Sequence, residues 1–193
     1  FVMKSKAIDY LKNNWTALFT ILVISISAVV RVGVNLKPCA TGDGVEYVLM
    51  TEALYNHLSQ EIRHSDCESF KKAYIKKNAW ETNDLALQFD FIQDFVQRPN
   101  KKYLDDKDGF FVDKKNRVYS YHFFFYSLLN TPARLIAGIF SLNPLGALQA
   151  TNALLIIISC LVFFKTSKFS KLLTSAFCLL FYFSTTYWYI GWA

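Results

Sequence analysis

The chain has 193 residues, of which 53% are hydrophobic and 17% aromatic, and its formal net charge is +6. Such an apolar composition is unusual for a soluble domain and favours a membrane protein. Residues 35–121 hold 14 acidic and 13 basic residues. Acids are therefore interleaved with the bases and no basic stripe stands alone, which excludes a nucleic-acid-binding surface.

The first long apolar run extends from Trp15 to Val34 and is about 20 residues long, enough to cross a ~30 Å hydrocarbon core. It is too long for a secretory signal peptide, and no small-residue cleavage site follows it. Lys4, Lys6 and Lys12 precede the run. Positive charge before a first span places the N-terminus in the cytoplasm and the following loop outside the cell.

Three helices are predicted in this loop. The first covers residues 44–58 as an amphipathic helix with Glu46, Glu52 and Asn56 on its polar faces. A second begins with Asp66 as its N-cap and ends near Lys77, and a third runs from residue 83 or 84 to Pro99. The helices either lie along the membrane surface or pack against one another in a small domain.

The stretch "GFFVDKKNRVYSYHF" predicts a short β-hairpin. Phe111 and Tyr119 are its strand residues, and residues 114–116 form the turn, where Asn tolerates a left-handed conformation. The hairpin would bring Tyr119, Tyr121 and His122 to the start of the next apolar run.

Three more apolar runs follow, at residues 122–142, 145–164 and 172–193. The first contains Pro132 and Arg134, so its polar residues should face protein or water rather than lipid. Arg134 is expected either to pair with a deep acid or phosphate or, preferably, to snorkel to the cytoplasmic boundary. The chain ends within an apolar run, which predicts that a longer membrane protein continues beyond it.

The predicted fold class is therefore an all-α polytopic membrane protein with about four transmembrane helices and a large extracytoplasmic first loop. Its predicted parts are the N-terminus with the first span (1–34), the loop domain (35–121) and spans two to four (122–193). Lys165, Lys168 and Lys171 lie between spans three and four. In a four-span topology they fall on the outer side, against the positive-inside rule, so the topology after span two stays open. Whether Cys39 and Cys67 form a disulfide is also left open by their spacing.

Asp43 and Glu46 stand three residues apart at the start of the first loop helix. One interpretation is a capping box, with Asp43 as N-cap and Glu46 at the third helical position. The other is a pair of carboxylates just outside the membrane, in which close like charges make one acid a better proton acceptor. The two interpretations are compatible, since a residue can cap a helix in one state and act in another.

The stretches "GDGVEYVLMTEALYNH", "YSYHFFFYSLLNTP" and "LNPLGALQATNALL", in this order after a first span, resemble the GT-C superfamily of glycosyltransferases. The resemblance implies a multi-span fold with an acidic catalytic residue in the first outer loop. It implies transfer of a sugar from a polyprenyl-phosphate donor to a glycan or lipid acceptor at the outer membrane face, with inversion.

Carried over to this chain, the resemblance makes Asp43 the catalytic base and Glu46 a second acid that binds the acceptor or a metal, Mg²⁺ or Mn²⁺. His122 would contact the lipid phosphate. Arg117 is the second candidate for this contact, because its planar guanidinium can form paired hydrogen bonds with phosphate oxygens. Tyr119 and Tyr121 complete the expected substrate site. The competing hypotheses are a non-enzymatic membrane subunit, in which the two acids only cap a helix, and a lipid or solute transporter.

Overall fold

A computed structural model describes residues 2–33, 44–75, 84–99 and 109–188 of the chain. These residues form helices and one two-stranded antiparallel sheet, which confirms the predicted mainly helical fold with a short hairpin. The elements are α1 (Val2–Gly33), α2 (Gly44–His57), α3 (His64–Ile75), α4 (Asp84–Gln97), β1 (Phe110–Val112), β2 (Val118–Ser120), α5 (Phe124–Ile139), α6 (Pro144–Thr166) and α7 (Lys171–Trp188).

The chain divides into two compact units, and α6 belongs partly to each. The first unit comprises Phe1–Lys37 and Asn152–Ala193, which hold α1, α7 and most of α6. Its buried core is small and is formed by Ile24, Cys160, Cys178 and Tyr182.

The second unit, Pro38–Thr151, holds α2 to α5, the hairpin and the first residues of α6. Its core includes a stack of three rings, in which the Phe70 ring lies 5.7 Å from that of Tyr74 and 4.7 Å from that of Phe89. α2, α3 and α4 thus pack against one another, the second of the two predicted arrangements. The predicted boundary at residue 121 concerns the membrane topology and stays a prediction.

α2 lies at the centre of this second unit and is buried on nearly all sides. Its residues from Val45 to Leu54 are buried except Tyr47, including Glu46 (6% exposed) and Glu52 (1% exposed). The prediction of an amphipathic helix with one apolar face was therefore wrong, because the faces that carry Glu46 and Glu52 are buried too, although Asn56 is exposed. The reason is that α3, α5 and the hairpin supply polar partners for both carboxylates, so that both can be buried. The hydrophobic period of a single helix carries no information about such partners.

The N-terminus of α3 also differs from the prediction. The helix begins at His64, and Asp66 lies inside its first turn rather than at the N-cap. Its Oδ2 accepts the backbone N–H of Arg63 at 2.8 Å, and its two oxygens also contact the side chains of Asn56 and His57. Asp66 therefore acts as the acidic half of a capping box, which satisfies an N–H before the helix.

The third loop helix and the hairpin agree with the predictions. α4 begins at Asp84, with Phe89, Ile92 and Val96 buried. In the hairpin, Phe111 pairs with Tyr119, and Asn116 takes the expected left-handed conformation at φ +60°.

Cys67 is fully buried and forms no disulfide with another described cysteine, and burial raises the pKa of its thiol to about 12. Its suggested partner Cys39 lies outside the described residues, so the open question of a disulfide stays open.

One described helix, α6, is long and apolar enough by length and composition to cross a membrane. Asn14–Val30 within α1 and Lys171–Ser184 within α7 are apolar helical segments below the length of a span. The predicted four-span arrangement therefore stays a prediction.

Leu58, which follows α2, has a positive φ of +53° and an 86% exposed side chain. The left-handed conformation is unfavourable for a residue with a branched side chain, and this side chain gains little from burial. Leu58→Gly should therefore stabilise the protein by about 0.5–1 kcal/mol. Thermal unfolding of the full chain in detergent would show a higher Tm for Leu58→Gly, with Leu58→Ala unchanged as the control. Equal melting of the glycine variant and the wild type would contradict this prediction.

Candidate functional site

The predicted site residues Glu46 and His122 meet in the second unit. Oε2 of Glu46 lies 2.6 Å from Nδ1 of His122 and accepts a hydrogen bond from the Ser120 hydroxyl at 2.8 Å. The Glu46 side chain is 8% exposed and the His122 side chain 28% exposed. The result is a carboxylate–imidazole pair, in which the carboxylate is buried and the imidazole reaches the surface.

Strand geometry explains how residues so far apart in sequence come together. Successive side chains of a strand point to opposite faces, so Val118 and Ser120 share one face of β2. Val118 is buried in the core, and its carbonyl accepts the N–H of Ile62 at 2.8 Å. Ser120 on the same face is thereby directed to Glu46, and its hydroxyl also accepts the N–H of His122 at 3.0 Å.

The imidazole of His122 is held on a second side by an aromatic ring. The ring of Tyr47, the residue after Glu46, meets it edge to face at a centroid distance of 5.1 Å. Tyr47 in turn contacts the Tyr126 ring at 5.0 Å. The orientation of His122 is therefore fixed both by α2 and by the first turn of α5.

Gly109, the residue before β1, lies against the Glu46 carboxylate. Its φ is +63°, and a Cβ built on it would lie 1.7 Å from Oε1 of Glu46. Its carbonyl also accepts the N–H of Tyr121 at 2.8 Å, which continues the hairpin ladder. Only a glycine leaves room for the carboxylate at this position.

Gly109→Ala should therefore destabilise the protein by about 2 kcal/mol, because it adds both backbone strain and a collision with Glu46. In a Glu46→Ala background the collision is absent, and the same substitution should lower the melting temperature less. Thermal unfolding of the four proteins in detergent measures both effects. Equal losses in the two backgrounds would show that Gly109 does not position the carboxylate.

The remaining predicted residues lie elsewhere or are not described. Tyr119 points to the other face of β2, where its ring stacks with Phe111 at 5.4 Å, and Tyr121 contacts the same ring at 5.4 Å. Arg117 binds Asp113 across the turn, with Nε 2.7 Å from Oδ2. Asp43 lies outside the described residues, and α2 begins at the next residue, Gly44. The structure thus brings Glu46 and His122 together and directs the two tyrosines away from them.

Arg117 and Asp113 organise the hairpin turn. The backbone N–H of Arg117 donates to Oδ1 of Asp113 at 2.9 Å, and this hydrogen bond, with the guanidinium, holds the pKa of the Asp113 carboxyl below its usual value. A contact between Arg117 and a phosphate would compete with this pairing. The predicted role of Arg117 stays a prediction.

Sequence reasoning did not include Ser120 or Gly109 in the site. The strand period could have suggested Ser120, because it shares a face with the apolar Val118. A glycine just before a predicted strand is a common position for a left-handed residue, but nothing in the sequence indicates that it faces Glu46.

A second polar cluster lies further along α2 and was not predicted as a site. Glu52 forms a bidentate pair with Arg134 of α5, with Nη2 3.0 Å from Oε2, and the two side chains are 1% and 5% exposed. Burial raises the pKa of the Glu52 carboxyl, and the hydrogen bonds from Arg134 oppose part of that rise. The preferred interpretation of Arg134 as a snorkelling residue was therefore wrong, because an acid on the neighbouring helix pairs with it.

Beside this ion pair, Asn130 links three helices. Its amide donates to Thr51 of α2 at 3.3 Å and accepts from Thr151 of α6 at 2.7 Å. These groups are all buried. α2 and α5 thus share a polar interface whose members satisfy one another.

The donors described around Glu46 do not fit a divalent metal. Oε2 of Glu46 is already shared by His122 and Ser120. Within the described ranges no three His, Cys, Asp or Glu side chains are grouped to hold an ion. The predicted binding of Mg²⁺ or Mn²⁺ by Glu46 stays a prediction.

No protein-family model, curated protein or solved structure matches this chain.

Proposed function

We propose that the chain is a multi-pass membrane glycosyltransferase that moves a sugar from a polyprenyl phosphate to a glycan or lipid acceptor at the outer membrane face. The observation that carries the proposal is the Glu46–His122 pair, because it joins the acidic stretch and the histidine that the GT-C resemblance singles out. In this topology the N-terminus is cytoplasmic and the first loop is extracytoplasmic.

Exposed apolar side chains on α1, α6 and α7 support a membrane location. Many large apolar side chains on these helices are roughly half exposed or more, far beyond the isolated exposed residues of a soluble protein. Examples are Phe19, Leu22, Ile26, Val29, Leu154, Leu161, Val162, Leu172 and Leu180. Lipid chains would cover this surface.

The burial pattern of α5 is independent support for a membrane location. Its buried residues include the polar Ser127, Asn130 and Arg134, whereas Phe125 (62% exposed) and Ile139 (69% exposed) face outward. A helix in water buries its apolar face, so this inverted pattern suits a lipid environment, with polar groups facing protein.

The chemistry assigned to the site is an inverting displacement. The hydroxyl oxygen of the acceptor forms a bond with the anomeric carbon of the donor, and its proton goes to Asp43. The bond between the anomeric carbon and the phosphate oxygen breaks, and polyprenyl phosphate leaves with the electron pair.

In this mechanism His122 binds the leaving phosphate and Glu46 positions His122. When the imidazole is protonated, its Nδ1–H donates to the Glu46 carboxylate 2.6 Å away, and its second N–H would donate to the leaving phosphate. Charge that develops on the phosphate during bond cleavage is then stabilised by an oriented cation. Tyr119 and Tyr121, which contact Phe111, and Arg117 at the hairpin turn are proposed as further substrate contacts away from this centre.

The proposal is tested in cells with and without the gene, in which lipid-linked sugars and envelope glycans are measured by mass spectrometry. Deletion should remove one sugar from a glycan or lipid and cause its polyprenyl-phosphate-linked form to accumulate. Reintroduction of the full chain should reverse both changes. If deletion changes neither the glycans nor the lipid-linked sugars, the proposed function is wrong.

A further inference from the structure

A cavity of about 200 Å³ lies beside the Glu52–Arg134 pair, within the second unit. It is smaller than the ~300–1,000 Å³ of cavities that hold drug-sized ligands, so it suits a small group. Helices α2, α3 and α5 supply its walls. Its lining residues are Tyr55, Ser69, Lys72, Ala73, Arg134, Ala137, Gly138, Ser141 and Leu142.

The polar atoms that line the cavity are mainly hydrogen-bond donors. Arg134 is 4% exposed and uses Nε and Nη2 for Glu52. Its Nη1 has no acceptor among the described residues, and it lies 3.3 Å from a Cβ built on Gly138 in the cavity wall. A buried guanidinium therefore presents one remaining donor nitrogen to this space.

Lys72 and the Tyr55 hydroxyl complete the set, because the Ser69 hydroxyl in the same wall donates to Oε2 of Glu52 at 3.4 Å. Lys72 is exposed, and the described part of the chain gives its ammonium no ion-pair partner. The guanidinium carbon of Arg134 lies 4.4 Å from the ring centroid of Tyr55, which holds the guanidinium in place. Glu52 and Arg134 neutralise each other, so the charge of Lys72 makes the cavity net positive.

The end of α5 contributes few free acceptors to the cavity. Carbonyls at a helix C-terminus usually lack partners and repel anions. Here the carbonyl of Ala137 accepts the N–H of Leu142 at 2.8 Å, and that of Gly138 accepts the N–H of Ser141 at 3.2 Å. This is a Schellman closure, with Ser141 at φ +51°.

We propose that this cavity binds a phosphate monoester group through Arg134, Lys72 and Tyr55. A tetrahedral dianion has enough oxygens to accept from two cations and one hydroxyl at once, and arginine suits phosphate geometry. The same group occurs on soluble phosphate esters and on the headgroup of phosphatidic acid. The site is distinct from Glu46–His122 and does not depend on the proposed glycosyl transfer.

Gly138 keeps the cavity open. A Cβ at this position would lie 2.8 Å from the Tyr55 hydroxyl, so a methyl group must displace that hydroxyl. Gly138→Ala therefore changes the site without changing any charge, and alanine is favourable in a helix.

The test uses the purified full chain in phosphate-free detergent, with calorimetric titration of glycerol 3-phosphate. A second arm measures binding of phosphatidic acid in mixed detergent micelles, with phosphatidylcholine as the reference lipid. Lys72→Glu should weaken binding at least about tenfold, and Gly138→Ala about threefold or more. The control Lys115→Glu, which makes the same charge change on the exposed hairpin turn, should change it less than about twofold.

Binding in the first arm identifies a soluble ester as the ligand, and binding in the second arm alone identifies a lipid headgroup. Both results support a phosphate site when they are sensitive to Lys72→Glu. Absence of binding in both arms, or equal effects of Lys72→Glu and Lys115→Glu, would overturn the proposal. Matched melting temperatures of the variants show that each is folded.

Discussion

Replacing Glu52 by alanine is expected to destabilise the protein by about 3–5 kcal/mol, the largest stability change among the substitutions considered. The substitution leaves the guanidinium of Arg134 buried at 5% exposure with no compensating carboxylate. It also removes the hydrogen bonds that join α2 to α5. Thermal and denaturant unfolding of the full chain in detergent measure the loss.

The control is an exposed ion pair in the same unit. Asp94 pairs with Arg98 one turn later on α4, with side chains 62% and 77% exposed, so Asp94→Ala should cost less than about 1 kcal/mol. The double substitution Glu52→Leu with Arg134→Met removes both charges and should recover most of the stability lost in Glu52→Ala. If Glu52→Ala melts like Asp94→Ala, the buried ion pair does not hold the two helices together.

Loss of either member of the Glu46–His122 pair is expected to lower sugar transfer about 100-fold. Glu46→Gln keeps a side chain of the same shape but removes the negative charge that pairs with His122. His122→Asn keeps a polar group but removes the ring that would bind the leaving phosphate. The rate is measured in membranes, with the lipid-linked sugar that accumulates after gene deletion as the donor.

Because the two residues act as one unit, the double variant should transfer sugar at most about threefold more slowly than either single variant. Glu68→Gln, an exposed carboxylate on α3, is the matched control and should transfer at the wild-type rate. Additive losses in the double variant, or single variants that melt far below the wild type, would contradict a shared role in catalysis.

Much of the local structure could be predicted from patterns within one element. The α4 stripe of Phe89, Ile92 and Val96 follows the helical period, and it is buried as expected. The hairpin register follows from strand alternation with a left-handed asparagine in the turn. In both cases the signal lies within about ten neighbouring residues.

The errors arise where a distant partner changes the environment of a residue. Glu52 looks like a surface residue of an amphipathic helix, yet Arg134, 82 residues away, pairs with it. Asp66 has the sequence of an N-cap, but contacts from Arg63 and His57 suit it to the first turn. One-dimensional periodicity does not encode which buried acid meets which base.

The candidate site was predictable only in part for the same reason. The acidic stretch and His122 could be singled out by type and position, but their separation by 76 residues hides the contact between them. Ser120 and Gly109 act through strand alternation and backbone conformation, so their roles appear only once the hairpin lies against α2.

The most direct test of the central claim is Asp43→Asn in the full chain, compared with the wild type at matched membrane abundance in cells that lack the native copy. Asparagine caps a helix about as well as aspartate, so the substitution spares a structural role while removing the base. We expect one sugar to be missing from the surface glycans, as measured by mass spectrometry, at normal protein levels. A glycan that is unchanged by Asp43→Asn but disappears when the gene is deleted would contradict Asp43 as the catalytic base.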